Sequence, residues 1–228
     1  MDVSESLTCR ARPPKASSTL VFCTAFAADQ NAWSIRYRRW VDAVVSSGLW
    51  FDQLLLIDDG SKVLPDWPDV TVVSEHDHDF DSKSSLCHEQ IVIYHFSENL
   101  GRRSGFDYPG WYRSFALAAN YAERHKFAKI IHIESDAFLI SERAINYCNQ
   151  RQDGWTALWC PHHAIPESGI QIIAGKELEA FFRFCRSDYT RDGLNGVPIE
   201  LILPFTNVEK NIVGDRFAEY FGLCPPGC

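Results

Sequence analysis

Unbroken apolar runs of strand length constrain the fold of this chain more than any other feature. The run at residues 54–57, LLLI, stops abruptly at Asp58-Asp59-Gly60-Ser61. Such a run is typical of a strand covered on both faces, as in parallel sheets. A similar run lies at residues 20–23, and a helical pattern separates the two. This order predicts a βαβ unit whose parallel strands end at one edge of the sheet, where ligands bind in α/β proteins.

Apolar spacing and capping residues predict where the helices lie. Residues 33–45 carry apolar side chains at helical spacing, and Gly48 is expected to end that helix as its C′ residue. Ser141 is expected to cap a helix that reaches about residue 150. A last helix is expected over about residues 211–221.

The length of the chain bounds the number of domains. Its 228 residues, 46% of them hydrophobic, are enough for one large domain or two small ones. Residues 1–18 are polar and contain prolines, so a disordered lead-in is expected there. No linker divides the remainder, so a single domain is expected over residues 19–228. Cys224 and Cys228 either pair with each other or are two thiols of a frayed tail.

Charge and hydropathy exclude several partners and suggest a compartment. The formal net charge is -8 at pH 7, which leaves no basic surplus for nucleic acid or for an anionic membrane. No stretch approaches the apolar length of a transmembrane helix, so no transmembrane segment is expected. The N-terminal residues carry acids and prolines where a secretory signal needs an apolar core. Cytoplasmic placement is therefore expected.

A third apolar run, at residues 130–133, opens into Glu134-Ser135-Asp136. Because side chains alternate along a strand, Glu134 and Asp136 are predicted to project to the same face, about 7 Å apart. Two such carboxylates repel each other unless a cation lies between them, and a hard divalent ion, Mg²⁺ or Mn²⁺, suits oxygen ligands. The alternative is a strand that ends in a solvated acidic turn. These residues alone leave both possibilities open.

The motifs follow one another in an order that resembles a known enzyme family. They are an apolar strand, a helix, LLLIDDGS, ENLGR before a helix, a strand ending in an acid-x-Asp, and ESGIQIIAG. This order resembles the GT-A family of nucleotide-sugar-dependent glycosyltransferases, in particular its large family-2 group, over roughly residues 19–205. The resemblance implies an α/β fold, a GT-A-like three-layer sandwich with a central, mostly parallel sheet flanked by helices.

The resemblance also implies where a nucleotide-sugar donor binds. Thr24 and Phe26, at the end of the first strand, match positions that line the nucleotide base pocket. Asp58 and Asp59 match the acids that hold the base and the ribose. The nucleotide is therefore expected along the ends of the first two strands.

Two further motif matches concern the metal and the sugars. Asp136 matches the last aspartate of the DxD motif, which binds a metal ion at the diphosphate, and Glu134 takes the first position of that motif. Glutamate here departs from the family pattern. The resemblance implies Mn²⁺ or Mg²⁺ as the cofactor. Ser168 and Gly169 match the small-residue turn that faces the acceptor and the donor sugar.

The chemistry of sugar transfer points to further candidates. Cleavage of a sugar–diphosphate bond leaves negative charge on the leaving group, which metal ions and cationic side chains stabilise. Arg102 and Arg113 are the candidate cations. Inverting transfer also needs a base that deprotonates the acceptor hydroxyl. Glu200 is the first candidate, because its apolar neighbours would raise its pKa, and Asp188 and Asp192 are alternatives.

Together these features predict a metal-dependent glycosyltransferase of the hexosyltransferase type. It would move a sugar from a nucleotide diphosphate-sugar to a hydroxyl of a glycan or of another acceptor, with inversion expected. The alternative is a catalytically silent module of the same fold that binds a nucleotide or a glycan. A nucleotidyltransferase is disfavoured, because residues 24–31 contain neither the glycine nor the lysine of a phosphate-binding loop.

Overall fold

The computed structural model of the chain describes residues 18–76, 90–104, 107–187, 197–212 and 216–218. Several sequence predictions lie outside these residues. They concern Asp188 and Asp192 as alternative bases, the Cys224–Cys228 pair and, apart from Ser18, the lead-in over residues 1–18.

Ten strands and five helices make up the described part of the chain. The strands are β1 (Thr19–Ala25), β2 (Gln53–Asp58), β3 (Val70–Ser74), β4 (Gln90–His95), β5 (Lys129–Ile133), β6 (Ala137–Leu139), β7 (Gly154–Cys160), β8 (Ile165–Ala174), β9 (Asn207–Glu209) and β10 (Arg216–Ala218). The helices are α1 (Gln30–Ala32), which continues through a π-helical stretch (Trp33–Tyr37) into α2 (Arg38–Ser46), then α3 (Pro109–Arg124), α4 (Glu142–Gln150) and α5 (Glu177–Arg186).

Two of the predicted helix ends are confirmed at the level of single residues. The Ser141 hydroxyl accepts a hydrogen bond from the Ala144 backbone N–H at 3.1 Å and so caps α4. Gly48 follows α2 with φ +86°, the left-handed conformation in which a Cβ is unfavourable.

The main sheet has eight strands in the order β3-β4-β2-β1-β5-β8-β7-β9. Neighbouring strands are parallel throughout, except that β8 is antiparallel to β5 and to β7. Helices cover both faces. The π-helical stretch, α2 and α4 pack on one face, against Val21 and Cys23 of β1. Helices α3 and α5 pack on the other, against Leu20 and Phe22. The predicted three-layer α/β sandwich with a central, mostly parallel sheet is therefore confirmed.

The connections of β1 and β5 create a switch point in this sheet. The chain leaves β1 through helices on the first face and reaches β2 on one side of β1. It arrives at β5, on the other side of β1, through α3 on the second face. Where neighbouring parallel strands connect in opposite directions, a crevice opens beyond their carboxyl ends, and ligands of α/β proteins bind there. In this sheet the crevice lies beyond β1 and β5.

One connection of the sheet and one predicted helix need comment. The link between β2 and β3 is short for a parallel crossover, but it spans only one strand, because β4 pairs in parallel with both. The predicted helix over residues 211–221 is wrong at Arg216–Ala218. These residues form β10, which pairs antiparallel with β6 and supplies backbone hydrogen-bond partners to that short strand.

Among the described residues, no helix is both long enough and apolar enough to cross a membrane.

Candidate functional site

Asp58, the last residue of β2, points into the protein. It is fully buried and accepts hydrogen bonds from the Ser61 backbone N–H at 3.0 Å and from the Ser61 hydroxyl. His95 Nδ1 lies 2.6 Å from Asp58 Oδ2, the oxygen that also accepts from the Ser61 N–H. Burial raises the pKa of Asp58, and the hydrogen bonds from Ser61 and His95 oppose that rise. Asp58 therefore joins the turn after β2 to the end of β4.

Asp59 also ties loops together. Its carboxylate accepts from Asn99 Nδ2 at 2.9 Å, from the Gly101 N–H at 2.8 Å and from Arg113 at 2.5 Å, and the residue is 5% exposed. Gly60 follows with φ +77°, and a Cβ there would overlap the Glu98 backbone. The turn after β2 is thus packed directly against the ENLGR loop.

The burial of these two acids limits the surface that either can offer to a ligand. Asp58 offers no surface to a ligand, and Asp59 offers almost none. Contacts from this pair to a base and a ribose, which the resemblance implies, have no geometric support here. Both carboxylates position the loops that border the sheet edge.

The second acidic segment, after β5, is a turn. Strand β5 ends at Ile133, and the Ala137 N–H donates to the Glu134 carbonyl at 2.9 Å, which closes the turn over Glu134-Ser135-Asp136. The alternation of strand side chains does not apply to a turn, so that argument for a shared face is wrong. The segment nevertheless lies at the crevice beyond β1 and β5, and the Asp136 side chain is 31% exposed.

Glu134 accepts hydrogen bonds from neutral donors on two elements, α3 and β1. Its Oε1 accepts from Trp111 Nε1 at 2.5 Å, and its Oε2 accepts from Thr24 Oγ1 at 3.1 Å. His132 Nε2 lies 3.3 Å from Oε1, under the carboxylate. Burial raises the pKa of Glu134, and the two hydrogen bonds together with the charge of Arg36 oppose that rise. Thr24, which the resemblance placed at the base pocket, thus contacts Glu134.

His132 forms the floor of this site. The ring is fully buried, stacks on Phe22 at 4.6 Å between centroids, and places Nδ1 3.2 Å from the Ser168 carbonyl. Burial lowers the pKa of His132 to about 3, so the imidazole is neutral at neutral pH. Sequence reasoning missed both His132 and Trp111, because each resembles an ordinary apolar-segment residue until its partner is known.

Arg36 is the cation that the fold brings to the acidic turn. Its Nε donates to Ser135 Oγ at 2.9 Å, and one terminal nitrogen lies 3.7 Å from Asp136 Oδ2. The side chain is 35% exposed and its charge also acts on Glu134. The apolar spacing over residues 33–45 indicates no functional role for Arg36. The π-helical stretch holds more residues per turn than an α-helix, so it changes the direction in which Arg36 projects. Regular α-helical spacing cannot predict this change.

Phe26, just after β1, has an anchored backbone and an exposed side chain. Tyr37 Oη accepts from the Phe26 N–H at 2.7 Å and donates to the Phe26 carbonyl at 2.8 Å. The Phe26 residue itself is 46% exposed. An exposed ring on an anchored backbone at the crevice is compatible with the base-pocket position that the resemblance implies.

Strand β8 brings the predicted acceptor-side residues to the same crevice. It runs antiparallel to β5 with Ile170 opposite Ile133, so Gly169 and Ser168 lie beside the acidic turn. The Gly169 carbonyl accepts from the Glu134 N–H at 2.8 Å. Ser168 Oγ donates to Glu200 Oε1 at 2.7 Å.

Glu200 lies in a short 3-10 turn, Ile199–Leu201, and is half-buried. Its charge contributes to raising the pKa of Glu134 and of Tyr112, so it lies near both residues. The predicted base is therefore adjacent to the acidic turn, although the sequence suggested an apolar strand around it.

The two arginines predicted to face the leaving group are engaged elsewhere. Arg113 donates to Asp59 and to the Glu98 carbonyl, and its guanidinium lies over Phe96 at 3.8 Å. Arg102 is exposed, donates to the Ser104 carbonyl at 2.8 Å and lies over Tyr108.

A divalent metal ion fits these residues only in part. Both oxygens of Glu134 already accept hydrogen bonds, so Glu134 does not fit a direct ligand. Asp136 could supply one oxygen to an ion whose other ligands are water and substrate phosphates, as Mg²⁺ prefers. Within the described ranges, no three His, Cys, Asp or Glu side chains converge to hold a metal ion.

Comparisons with known proteins give distant likenesses only. No protein-family model matches the chain, and neither does any curated protein. The chain is similar to the solved structure of a glycosyltransferase involved in the glycosylation of the major capsid of PBCV-1, with 10% identity, a TM-score of 0.42, and coverage of 85% of this chain and 81% of that chain.

Two further solved structures are similar at the same level. HddC from Yersinia pseudotuberculosis is 12% identical, with a TM-score of 0.41 and coverage of 86% of this chain and 90% of that chain. The nucleoside-diphosphate-sugar pyrophosphorylase from Vibrio cholerae RC9 is 12% identical, with a TM-score of 0.39 and coverage of 87% and 95%. Likenesses this weak carry no argument about function, which rests on the geometry of the site.

Proposed function

We propose that the protein is a glycosyltransferase that moves a sugar from a nucleotide diphosphate-sugar to a hydroxyl of a glycan or of another acceptor. The observation that carries the proposal is the Ser168–Glu200 hydrogen bond of 2.7 Å at the crevice beyond β1 and β5. It holds a half-buried carboxylate beside an acidic turn at the switch point of an α/β sheet, where ligands bind.

The donor would lie across the ends of β1 and β5. The exposed ring of Phe26 offers a face on which a nucleotide base can stack. The diphosphate would lie towards Arg36 and Asp136, whose side chains are 35% and 31% exposed. The transferred sugar would then lie near Ser168 and Gly169.

Glu200 would act as the general base of an inverting transfer. Its carboxylate takes the proton of the acceptor hydroxyl while the acceptor oxygen forms a bond to the anomeric carbon. The bond from that carbon to the diphosphate oxygen breaks, and the nucleoside diphosphate leaves. The hydrogen bond from Ser168 fixes Oε1 and so orients the carboxylate, which makes proton transfer efficient.

The Mn²⁺ or Mg²⁺ ion that the resemblance implies is proposed as the alternative source of positive charge at the diphosphate. Asp136 is the residue that would hold it, and when bound the ion would neutralise charge on the diphosphate.

The test combines binding and turnover in one variant. Nucleotide-sugars with different bases are screened by thermal shift, since ligands that bind the folded state raise its melting temperature. Release of nucleoside diphosphate is then measured with wild type and with Glu200→Gln. We expect the variant to keep donor affinity and to lose about 10²- to 10⁴-fold in transfer.

Glu179→Gln is the matched control, because Glu179 is exposed on α5. It should leave both properties unchanged. Near-normal transfer by Glu200→Gln would move the base to Asp188 or Asp192. Donor binding without any release of nucleoside diphosphate would favour the catalytically silent module, and absence of binding to every nucleotide-sugar would overturn the proposal.

A further inference from the structure

We infer that Arg36 is the cation that binds the donor diphosphate, so that nucleoside diphosphates bind this protein without a divalent metal ion. The inference rests on the proposed function, because it concerns the phosphate subsite of the same crevice. It assigns to an arginine the charge that the DxD resemblance assigns to Mn²⁺ or Mg²⁺.

The first support is where Arg36 lies. The π-helical stretch Trp33–Tyr37 begins shortly after β1, and Arg36 projects from it onto the turn after β5. These are the two strands whose carboxyl ends border the crevice. A π-helical turn within an α-helix is uncommon and often lies at a functional site. Here it packs Trp33 and Tyr37 into the core while Arg36 reaches the sheet edge.

The second support is how the guanidinium is held. Its Nε is fixed by Ser135, which is 2% exposed, while one terminal nitrogen is only loosely paired with Asp136 at 3.7 Å. A guanidinium presents a rigid fork of N–H donors that matches phosphate oxygens. The buried serine therefore orients the fork, and the terminal nitrogens at the partly exposed end can donate to a diphosphate.

The third support is the charge balance around the turn. The positive charge of Arg36 acts on both Glu134 and Asp136, and the oxygens of Glu134 already accept from Trp111 and Thr24. A divalent ion bound at Asp136 would lie close to the Arg36 guanidinium and would be repelled by it. The charge of Arg36 thus offsets that of both acids and disfavours a second cation beside them.

The fourth support is that the other arginines predicted for this role are committed elsewhere. Arg113 pairs with the buried Asp59, and Arg102 bonds to the Ser104 carbonyl over Tyr108. Arg38, two residues after Arg36, forms ion pairs with Asp42 and Asp69 on the outer side of α2.

The experiment measures the affinity for UDP, GDP, CDP and ADP by calorimetry, in excess EDTA and in Mn²⁺, for the full chain and for variants whose melting temperature is normal. We expect wild type to bind one of these nucleotides equally well in both buffers. Arg36→Gln should weaken that binding by about ten- to a hundredfold, as expected for loss of charged hydrogen bonds. The corresponding nucleoside, which has no phosphates, should bind Arg36→Gln and wild type equally.

Two further variants separate a phosphate contact from a structural role. Arg36→Lys keeps the charge and should recover part of the affinity, whereas a defect of folding alone would weaken nucleoside and nucleotide together. Arg38→Gln is the matched control on the same helix and should bind like wild type.

Asp136→Asn gives the sharpest contrast. If Arg36 binds the diphosphate, removal of the neighbouring negative charge should strengthen nucleotide binding, whereas a metal held by Asp136 would make the same change abolish it. Binding that requires Mn²⁺ and survives Arg36→Gln would overturn this inference and leave the proposed glycosyl transfer standing. Wild type that binds none of the four nucleotides in either buffer would overturn both.

Discussion

Two acidic segments follow buried parallel strands of this protein, and they have opposite environments. The Asp58-Asp59 pair at the end of β2 is buried and bonds to the neighbouring loops, to His95 of β4 and to Arg113 of α3. The Glu134-Ser135-Asp136 turn after β5 keeps exposed carboxylate surface and contacts Arg36. Both look alike in the sequence, as acids that follow an apolar run.

The sheet order explains the difference. Strand β5 borders the switch point, where an open crevice exposes the strand ends to ligands. Strand β2 lies one position further, between β1 and β4, and its end is covered by the ENLGR loop and by Arg113. An acid at a strand end is therefore a binding residue or a structural one according to which neighbours the topology gives it.

The largest effect expected from this comparison is on stability. Asp58→Ala should lower the free energy of unfolding by about 3–5 kcal/mol, because it leaves the buried Ser61 donors and the partly buried His95 without their acceptor. Asp136→Ala, at the exposed segment, should cost less than about 1 kcal/mol. Urea unfolding measures both, and Asp153→Ala, whose side chain is 79% exposed, is the control. A stable Asp58→Ala variant with weakened nucleotide affinity would restore the base and ribose role.

A second prediction compares the two arginine–aspartate pairs. A double-mutant cycle with Asp59→Asn and Arg113→Met should give a coupling energy of about 1–3 kcal/mol, since the pair is largely buried and in close contact. The same cycle with Asp136→Asn and Arg36→Met should give less than about 1 kcal/mol, because that pair is longer and partly exposed. Denaturant unfolding of wild type, both single variants and the double variant of each cycle measures the coupling energies. Equal coupling energies for the two pairs would contradict the difference between the two segments.

A third prediction tests the neutral donors under Glu134. Thr24→Val is close to isosteric and removes one hydrogen bond to Oε2, so it should cost about 1 kcal/mol of stability. Ser34→Ala, whose hydroxyl bonds only within an exposed helix turn, should change stability by less than about 0.5 kcal/mol. Thermal and urea unfolding measure both changes. If Thr24→Val is neutral, the hydroxyl does not hold Glu134.

The smallest expected effect is a pH slope. Burial raises the pKa of Glu134 above its ordinary 4.5, so the folded state keeps this proton at pH values where the unfolded state has lost it. The stabilisation of the folded state by this bound proton is complete below pH 4.5. It is lost as the pH rises through the pKa that Glu134 has in the folded state. Relative to Glu134→Gln, wild type should therefore become less stable as the pH rises over that range.

Urea unfolding of both proteins at several pH values measures that difference. If the stability of wild type relative to Glu134→Gln is constant or grows with pH, the hydrogen bonds to Glu134 lower its pKa at least as much as burial raises it.

Much of the architecture could be predicted from the sequence, because it depends on local patterns. Unbroken apolar runs are possible only for strands covered on both faces, and they gave the parallel core. Ser141 and Gly48 fix helix ends through contacts within a few residues. The same patterns predicted that acids meet the carboxyl edge, because parallel strands all end there.

The tertiary structure alone decided which of those acids face a ligand. Arg36 and Ser135 are 99 residues apart in sequence, and a π-helical turn sets the phase that joins them. Glu200 reaches Ser168 across 32 residues, and residues 216–218 form a strand because β6 offers them a partner. Contacts of this range depend on strand order and helix phase, which no local pattern in the chain contains. That is why the sequence determined where the acids stand, and only the fold determined what each of them touches.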